Sequence, residues 1–454
     1  MSAARFTAGI LTLAFLAATA FAQSALKPVT FSDTRLSNGL RVIISEDHYA
    51  PVFAIAVSYA VGSKDERAGR TGFAHLFEHM MFKGSENIGP GEHFFLVFNY
   101  GGSMNGTTNT DRTVYYEILP KNQLDLGLFL EADRMKSLAI TKENLDNQRN
   151  AVQEERRLGL DNQPYGKSQE RFNEMAYDNF AYKHSVIGSM EDLNAATVED
   201  VASFFKTYYA PNNAVLSLVG DLDTKTTLAK VEKFFGSIPR QPAPKPVDLS
   251  EQELKAERRE SMADPLARVA RISVGYRIPP ATHADWPALS VLGQILGGGE
   301  SSRLYQVLVK DKELCTGTGA GSGARMGPAL FNVNCQVRAG KDIKEADAAL
   351  SEVLAAAPTS PVTEQELQRV RTSARRSDVS TRESVLSRAL SLADGAVLYN
   401  DPNRINTLSA RLSAVTAADV QRVARTYLRP TNRIVMHTLP AAGTPPSPPP
   451  TQSR

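Results

Sequence analysis

Three side chains close together in the sequence could do chemistry as a unit. His75 and His79 stand four residues apart, with Glu78 beside the second. On a helix that spacing projects both imidazoles from one face. Two neutral imidazoles suit zinc, which in catalytic sites takes three protein ligands and leaves a position for water. Glu78 is then placed to take a proton from a water and hand it to a leaving amine. The pattern H-x-x-E-H is the reverse of the H-E-x-x-H zinc-protease motif, and so short a match needs structural context. A third ligand is required. Glu154 and Glu155 stand on a second helical pattern, and spacing does not choose between them.

The elements that must position these residues can be read in outline. Residues 72–82 form an apolar-rich helical pattern, and residues 34–44, 52–61 and 113–119 read as strands. A Gly-Gly pair at 101–102 precedes the last of these. Residues 124–138 and 142–160 are long helical patterns. Residues 197–208 are another, ended by Pro211 and followed by a strand at 214–219. This last unit recurs. Thr197, Asp200, Val201, Thr207, Tyr208, Pro211 and Asn213 reappear as Thr416, Asp419, Val420, Thr426, Tyr427, Pro430 and Asn432, an offset of 219 residues throughout. A period this long implies duplication of a whole domain and not a solenoid. The polar, Pro-bearing stretch 239–264 reads as the linker between the copies, and 441–454 as a Pro-rich disordered tail.

Composition bounds the rest. The 454 residues are 42% hydrophobic and 22% charged with a net charge of +2, which gives no footprint for nucleic acid. Residues 1–22 carry one early basic residue, a short apolar run and an A-x-A site at Ala20 to Ala22, the pattern of a secretory signal peptide. No later segment is long and apolar enough to span a membrane. An exported protein, in a bacterial periplasm, is expected. Cys315 and Cys335 are the only cysteines. Paired antiparallel strands at 314–320 and 330–338, turning near Arg325, would set them opposite each other. A disulfide and two buried thiols both remain open.

Together the segments 72–84 (GFAHLFEHMMFKG), 101–116 (GGSMNGTTNTDRTVYY), 152–156 (VQEER), 186–193 (VIGSMEDL) and 297–305 (GGGESSRLY) resemble the pitrilysin-type, inverted-zincin metallopeptidases, over essentially the whole mature chain. The resemblance implies an α+β fold: two homologous domains, each an antiparallel-rich sheet covered by helices, forming half of a clamp. It places a zinc-binding domain at 28–238 and a homologous domain lacking the motif at 265–440. It implies one Zn2+ per chain and a third ligand about 76 residues after His79, which selects Glu155. It implies Glu78 as general base and acid, and peptide substrates paired along the edge at Ser103, Asn105 and Gly106.

Two features depart from the family pattern. A Glu that steadies the site is replaced by Gln148, seven residues before Glu155. An Arg and a Tyr that bind the substrate carbonyl are replaced by Val309 and Thr316. Arg303 and Tyr305 are too close together to stand in and read as packing residues. The expectation is therefore a zinc endopeptidase for short or unfolded peptides, acting as the catalytic member of a heterodimer. A homologous non-zinc subunit would supply the Arg and Tyr. The alternative is a catalytically weak peptide-binding or assembly subunit that keeps the metal site.

Overall fold

The computed structural model describes residues 26–441, so the signal-peptide segment and all of the Pro-rich tail beyond Ala441 lie outside the described residues. Eleven strands form two sheets. Six belong to the first half: β1 (Ser32–Arg35), β2 (Arg41–Glu46), β3 (Val52–Tyr59), β4 (Ser103–Thr108), β5 (Thr113–Pro120) and β6 (Ala214–Gly220). Five belong to the second: β7 (Arg258–Asp264), β8 (Arg271–Ile278), β9 (Cys315–Ser322), β10 (Ala329–Val337) and β11 (Arg433–Pro440).

The first sheet has the order β1-β2-β6-β3-β5-β4 and the second β7-β11-β8-β10-β9. Without β1 the two are the same path. β2 and β6 pair parallel, as do β7 and β11; the remaining pairs are antiparallel in both sheets. The molecule is thus two α+β domains of one topology, related by duplication.

The recurring residues are the ones that shape the recurring unit. Thr197 and Thr416 each cap a helix (Val198–Tyr208 and Ala417–Tyr427) in a reciprocal box with Asp200 and Asp419. Pro211 and Pro430 open the short turn that follows. Asn213 and Asn432 reach back to the carbonyls of Tyr208 and Tyr427, both at 2.9 Å.

Each sheet is covered on its second face by a helix from the other half. The helix Val385–Tyr399 lays Ala389, Leu392, Ala393 and Ala396 against Ile43, Ala54, Ala56 and Val219 of the first sheet. Reciprocally, Phe172, Met175 and Ala176 of the helix Gly166–Ala176 pack on Leu330, Ile434 and Met436 of the second. With both faces covered, β3 and β6 are buried almost throughout, which accounts for their continuous apolar runs.

Three expectations are corrected. The strand read at 34–44 is two strands, because Asn38–Gly39 turns the chain and hydrogen-bonds back between them. The stretch 239–264 is not a linker to its end: its last seven residues form β7. That strand is an edge with alternating exposed polar residues, so it carries no apolar signature. Cys315 and Cys335 are bridged, but diagonally: Cys335 stands opposite Thr318 and Cys315 opposite Val337, across an irregularity after Gln336.

Candidate metal centre and its surroundings

His75, Glu78 and His79 lie on α1 (Phe73–Met80), whose Phe73, Ala74, Leu76, Phe77 and Met80 are buried. The apolar face fixes the helix against the sheet and leaves the three polar residues on the half-exposed face. The helix begins at Gly72, with φ of 84°, where a Cβ would sit 2.5 Å from the carbonyl oxygen of Ile187. Its first amides are held by Glu66: Gly72 N–H and Ala74 N–H donate to that carboxylate at 2.9 and 2.8 Å. His184 contacts the same carboxylate at 2.9 Å. Glu66 and His184 are positioning residues that the sequence reading missed; only the bonding of a buried carboxylate to a helix N-terminus reveals them.

After the short helix α2 (Glu92–Asn99) and the helix α3 (Leu124–Lys136), a fourth, α4 (Lys142–Arg156), carries the remaining polar groups of the site. It presents Glu155 to α1: Glu155 Oε2 is 3.6 Å from His75 Nε2 and 3.4 Å from His79 Nε2. Glu154 points to solvent and pairs with Arg157 at 3.0 Å. The structure therefore brings Glu155, and not Glu154, to the histidines. A tetrahedral zinc with bonds of about 2.0–2.1 Å sets its ligand atoms about 3.3–3.4 Å apart, so the donor set fits that ion in spacing and in chemistry. Burial, then the neighbouring His79, holds His75 down to about 4. Burial also lowers His79, against the opposing pull of Glu155. Both shifts favour the neutral form of the ring, the form that binds metal. Gln148, buried on α4, hydrogen-bonds His79.

Glu78 is pushed up chiefly by burial; a hydrogen bond from Thr108 opposes this, Glu155 adds to it and Arg112 lowers it. Thr108 Oγ1 donates to Glu78 Oε2 at 2.6 Å. Thr108 ends β4, the strand at the open edge of the sheet, and β4 pairs only with β5. Ser103 and Asn105 are exposed on that edge, and Gly106 is buried under Glu78. A Cβ at Gly106 would lie 3.1 Å from Glu78 Cγ, so the absent side chain makes room for the carboxylate. Arg112 in turn holds Thr107 and pairs with Asp394 of the second half at 3.0 Å.

Among the described residues the second half offers no equivalent group. There the helix Trp286–Gly297 packs on β9 so closely that a Cβ at Gly293 would lie 2.8 Å from Gly321 Cα. Arg303 is committed to Glu366 and to the carbonyl of Pro361. Val309 packs on the second core and Thr316 is exposed.

Among the described residues one further histidine–carboxylate group could hold a metal by proximity: His93, Glu117 and Glu131, all buried. His93 Nε2 is 2.5 Å from Glu117 Oε1, and Glu131 is ion-paired with Arg134.

Residues 41–189 match the family described as Insulinase (Peptidase family M16), and residues 195–374 match its companion described as Peptidase M16 inactive domain. The chain belongs to the M16 peptidase family. Its relatives within that family include the zinc protease PqqE of Helicobacter pylori, 29% identical over 412 residues, 89% of this chain and 92% of the relative. An uncharacterized zinc protease of Bacillus subtilis is 23% identical and covers 86% of this chain and 93% of its own. The crystal structure of a protease from Helicobacter pylori superposes with a TM-score of 0.87 at 27% identity, covering 91% of this chain and all of that one. The first half of the periplasmic protease PqqL from Escherichia coli shares the fold, with a TM-score of 0.75 at 21% identity, 91% of this chain and 92% of that one being covered. Fold and family thus agree with the half-clamp expected from the sequence. The second match is described as inactive, and among its described residues the second half carries no group of three histidine or carboxylate side chains close enough to share a metal.

Proposed function

We propose that this chain is a zinc-dependent endopeptidase for short or unfolded peptides. The supporting observation is the convergence of His75, His79 and Glu155 beside Glu78, next to the free edge of β4. His75, His79 and Glu155 would hold one zinc ion, which when bound polarises the scissile carbonyl and lets water attack near neutral pH. An extended peptide would pair with the main chain of β4 across Ser103 and Asn105, giving affinity with little dependence on sequence. Thr108 occupies Glu78 Oε2, which leaves Oε1 to take the proton of the attacking water. Desolvation makes that carboxylate a better base than an exposed one. The proton would then pass from Oε1 to the leaving amine.

The Arg and Tyr expected to meet the developing oxyanion are missing from their positions. Arg303 is tied to Glu366, and the expected Arg and Tyr positions hold Val309 and Thr316. The proposal therefore includes a homologous non-zinc subunit as the source of that pair. Export to a bacterial periplasm is supported by the N-terminal pattern, by the Cys315–Cys335 bridge and by the periplasmic protease among the fold neighbours. No helix among the described residues is long and apolar enough to cross a membrane.

The same gap, with Gln148, favours a second reading: a peptide-holding subunit that keeps its metal. One experiment separates them. Peptide cleavage is measured with and without chelator, for the chain alone and mixed with a homologous chain bearing the Arg and Tyr. Chelator-sensitive cleavage that needs the partner is expected. Full turnover by the chain alone would remove the heterodimer. One zinc per chain with no turnover under any pairing would favour the binder.

A further inference from the structure

A cavity of about 710 Å3 opens where the turn after β4 meets the second half. Asn109 forms part of its wall, and Trp286, Ser377, Asp378, Asp394 and Arg404 form others. A hydroxyl-rich hollow bearing Ser380 and Ser387 continues from it, sharing Ser377 and Thr381.

The charges on this wall do not balance. Asp378 is bonded by Arg382, and Asp394 by Arg112 at 3.0 Å, so both carboxylates have partners. Arg404 is buried, with its guanidinium carbon 4.2 Å from the ring centre of Tyr399 and 5.2 Å from that of Trp286. Among the described residues its guanidinium makes no hydrogen bond or ion pair. Asp401 acts on it only at a distance, and Arg411 adds positive charge. Burying a guanidinium is unfavourable unless it is paired. Aromatic stacking relieves part of that and fixes the planar fork. The edge that remains matches a carboxylate, which can accept two parallel hydrogen bonds.

The position relates this group to the proposed peptide path. Asn109 lies three residues beyond Gly106, which touches Glu78, or about 10 Å along an extended chain at ~3.3 Å per residue. Resting on the peptidase reading, we propose that this cavity, whose wall at Asn109 continues from β4, is a subsite in which Arg404 receives a carboxylate of the bound peptide away from the bond at Glu78. The carboxylate would be an acidic side chain or the chain terminus.

The test reads binding and not turnover. Zinc-loaded Glu78→Gln protein is titrated with fluorescent ten-residue peptides, and anisotropy gives Kd. One peptide is uncharged and amidated. A series carries one Glu, or Gln in its place, at each position. A second series ends in a free carboxylate at each length. One placement of Glu or of the terminus should tighten binding about tenfold, and which series shows it identifies the source. Arg404→Gln should remove that gain and leave the uncharged peptide unaffected. If this variant melts early, Ser377→Leu, which fills the cavity and keeps Arg404, should remove the gain instead. Equal binding of Glu and Gln peptides and of all termini, or a gain that survives both variants, overturns the subsite and leaves the peptidase reading standing. Failure of every peptide to bind sinks both.

Discussion

His75, His79 and Glu155 form one cluster of histidine and carboxylate in the first half of the chain; His93, Glu117 and Glu131 form another. Tyr115 lies between them, its ring 4.5 Å from the Arg134 guanidinium on one side and close to Gly106 on the other. The first cluster is half-open, with Glu155 51% exposed, and among the described residues no Lys or Arg is ion-paired with it. The second is sealed, and Arg134 supplies its positive charge from within. Proximity of ligand-type atoms is therefore not enough to define a metal centre. What distinguishes the two is whether the chain has already provided the counter-charge. A cluster lacking one fits an external cation that brings its own charge; a cluster that contains one is a structural ion network.

Substitutions can break this comparison. The largest effect is expected at Glu78: Glu78→Gln should lower peptide cleavage by about 10²- to 10⁴-fold while zinc stays bound, read by kinetics beside metal analysis. Normal cleavage would remove Glu78 from the mechanism. Next, Arg134→Met should destabilise the fold by about 3–5 kcal/mol in denaturant melts, because Glu131 is left buried without its partner, and the folded fraction should keep its zinc. An unchanged melt would mean that the second cluster is not held by Arg134. A smaller effect should sharpen the first cluster: Gln148→Glu should raise zinc affinity about tenfold by placing a charge behind His79. Unchanged affinity in competition with a chelator would count against that role.

The smallest effect concerns pH. Burial raises Glu117 from 4.5 to about 7. The folded state thus prefers it protonated, so its contribution is greatest below pH 4.5 and shrinks as the pH rises towards 7. His93, lowered from 6.5 to about 3, works the other way, losing its contribution as the pH falls below 6.5. The quantity to measure is therefore the difference between wild type and Glu117→Gln. The variant should gain about 2 kcal/mol relative to wild type between pH 5 and 7. A constant difference would show that Glu117 does not titrate there.

Much of the site was legible before the fold. The i,i+4 histidines announced the metal face of α1, and the 219-residue echo announced two domains because its residues are caps and turn-formers with fixed tasks. The rest depended on contacts between distant segments. Glu66 lies well before α1 in sequence and carries no motif, yet it bonds the first amides of that helix. Thr108 looked like one more polar residue of a Gly-rich stretch until the strand placed its hydroxyl on Glu78. β7 was hidden because an edge strand with one partner needs no apolar run. The exchange of helices between the two sheets left only apolar strands as a trace, which a simple buried core would also leave.

The central claim is that the chain holds one zinc ion at the open cluster and none at the sealed one. Anomalous diffraction from crystals of the zinc-loaded protein, recorded on both sides of the zinc edge, tests it most directly. The account predicts one peak per chain, within bonding distance of His75 Nε2, His79 Nε2 and a Glu155 oxygen. A peak among His93, Glu117 and Glu131, or no peak at the first cluster, would contradict it.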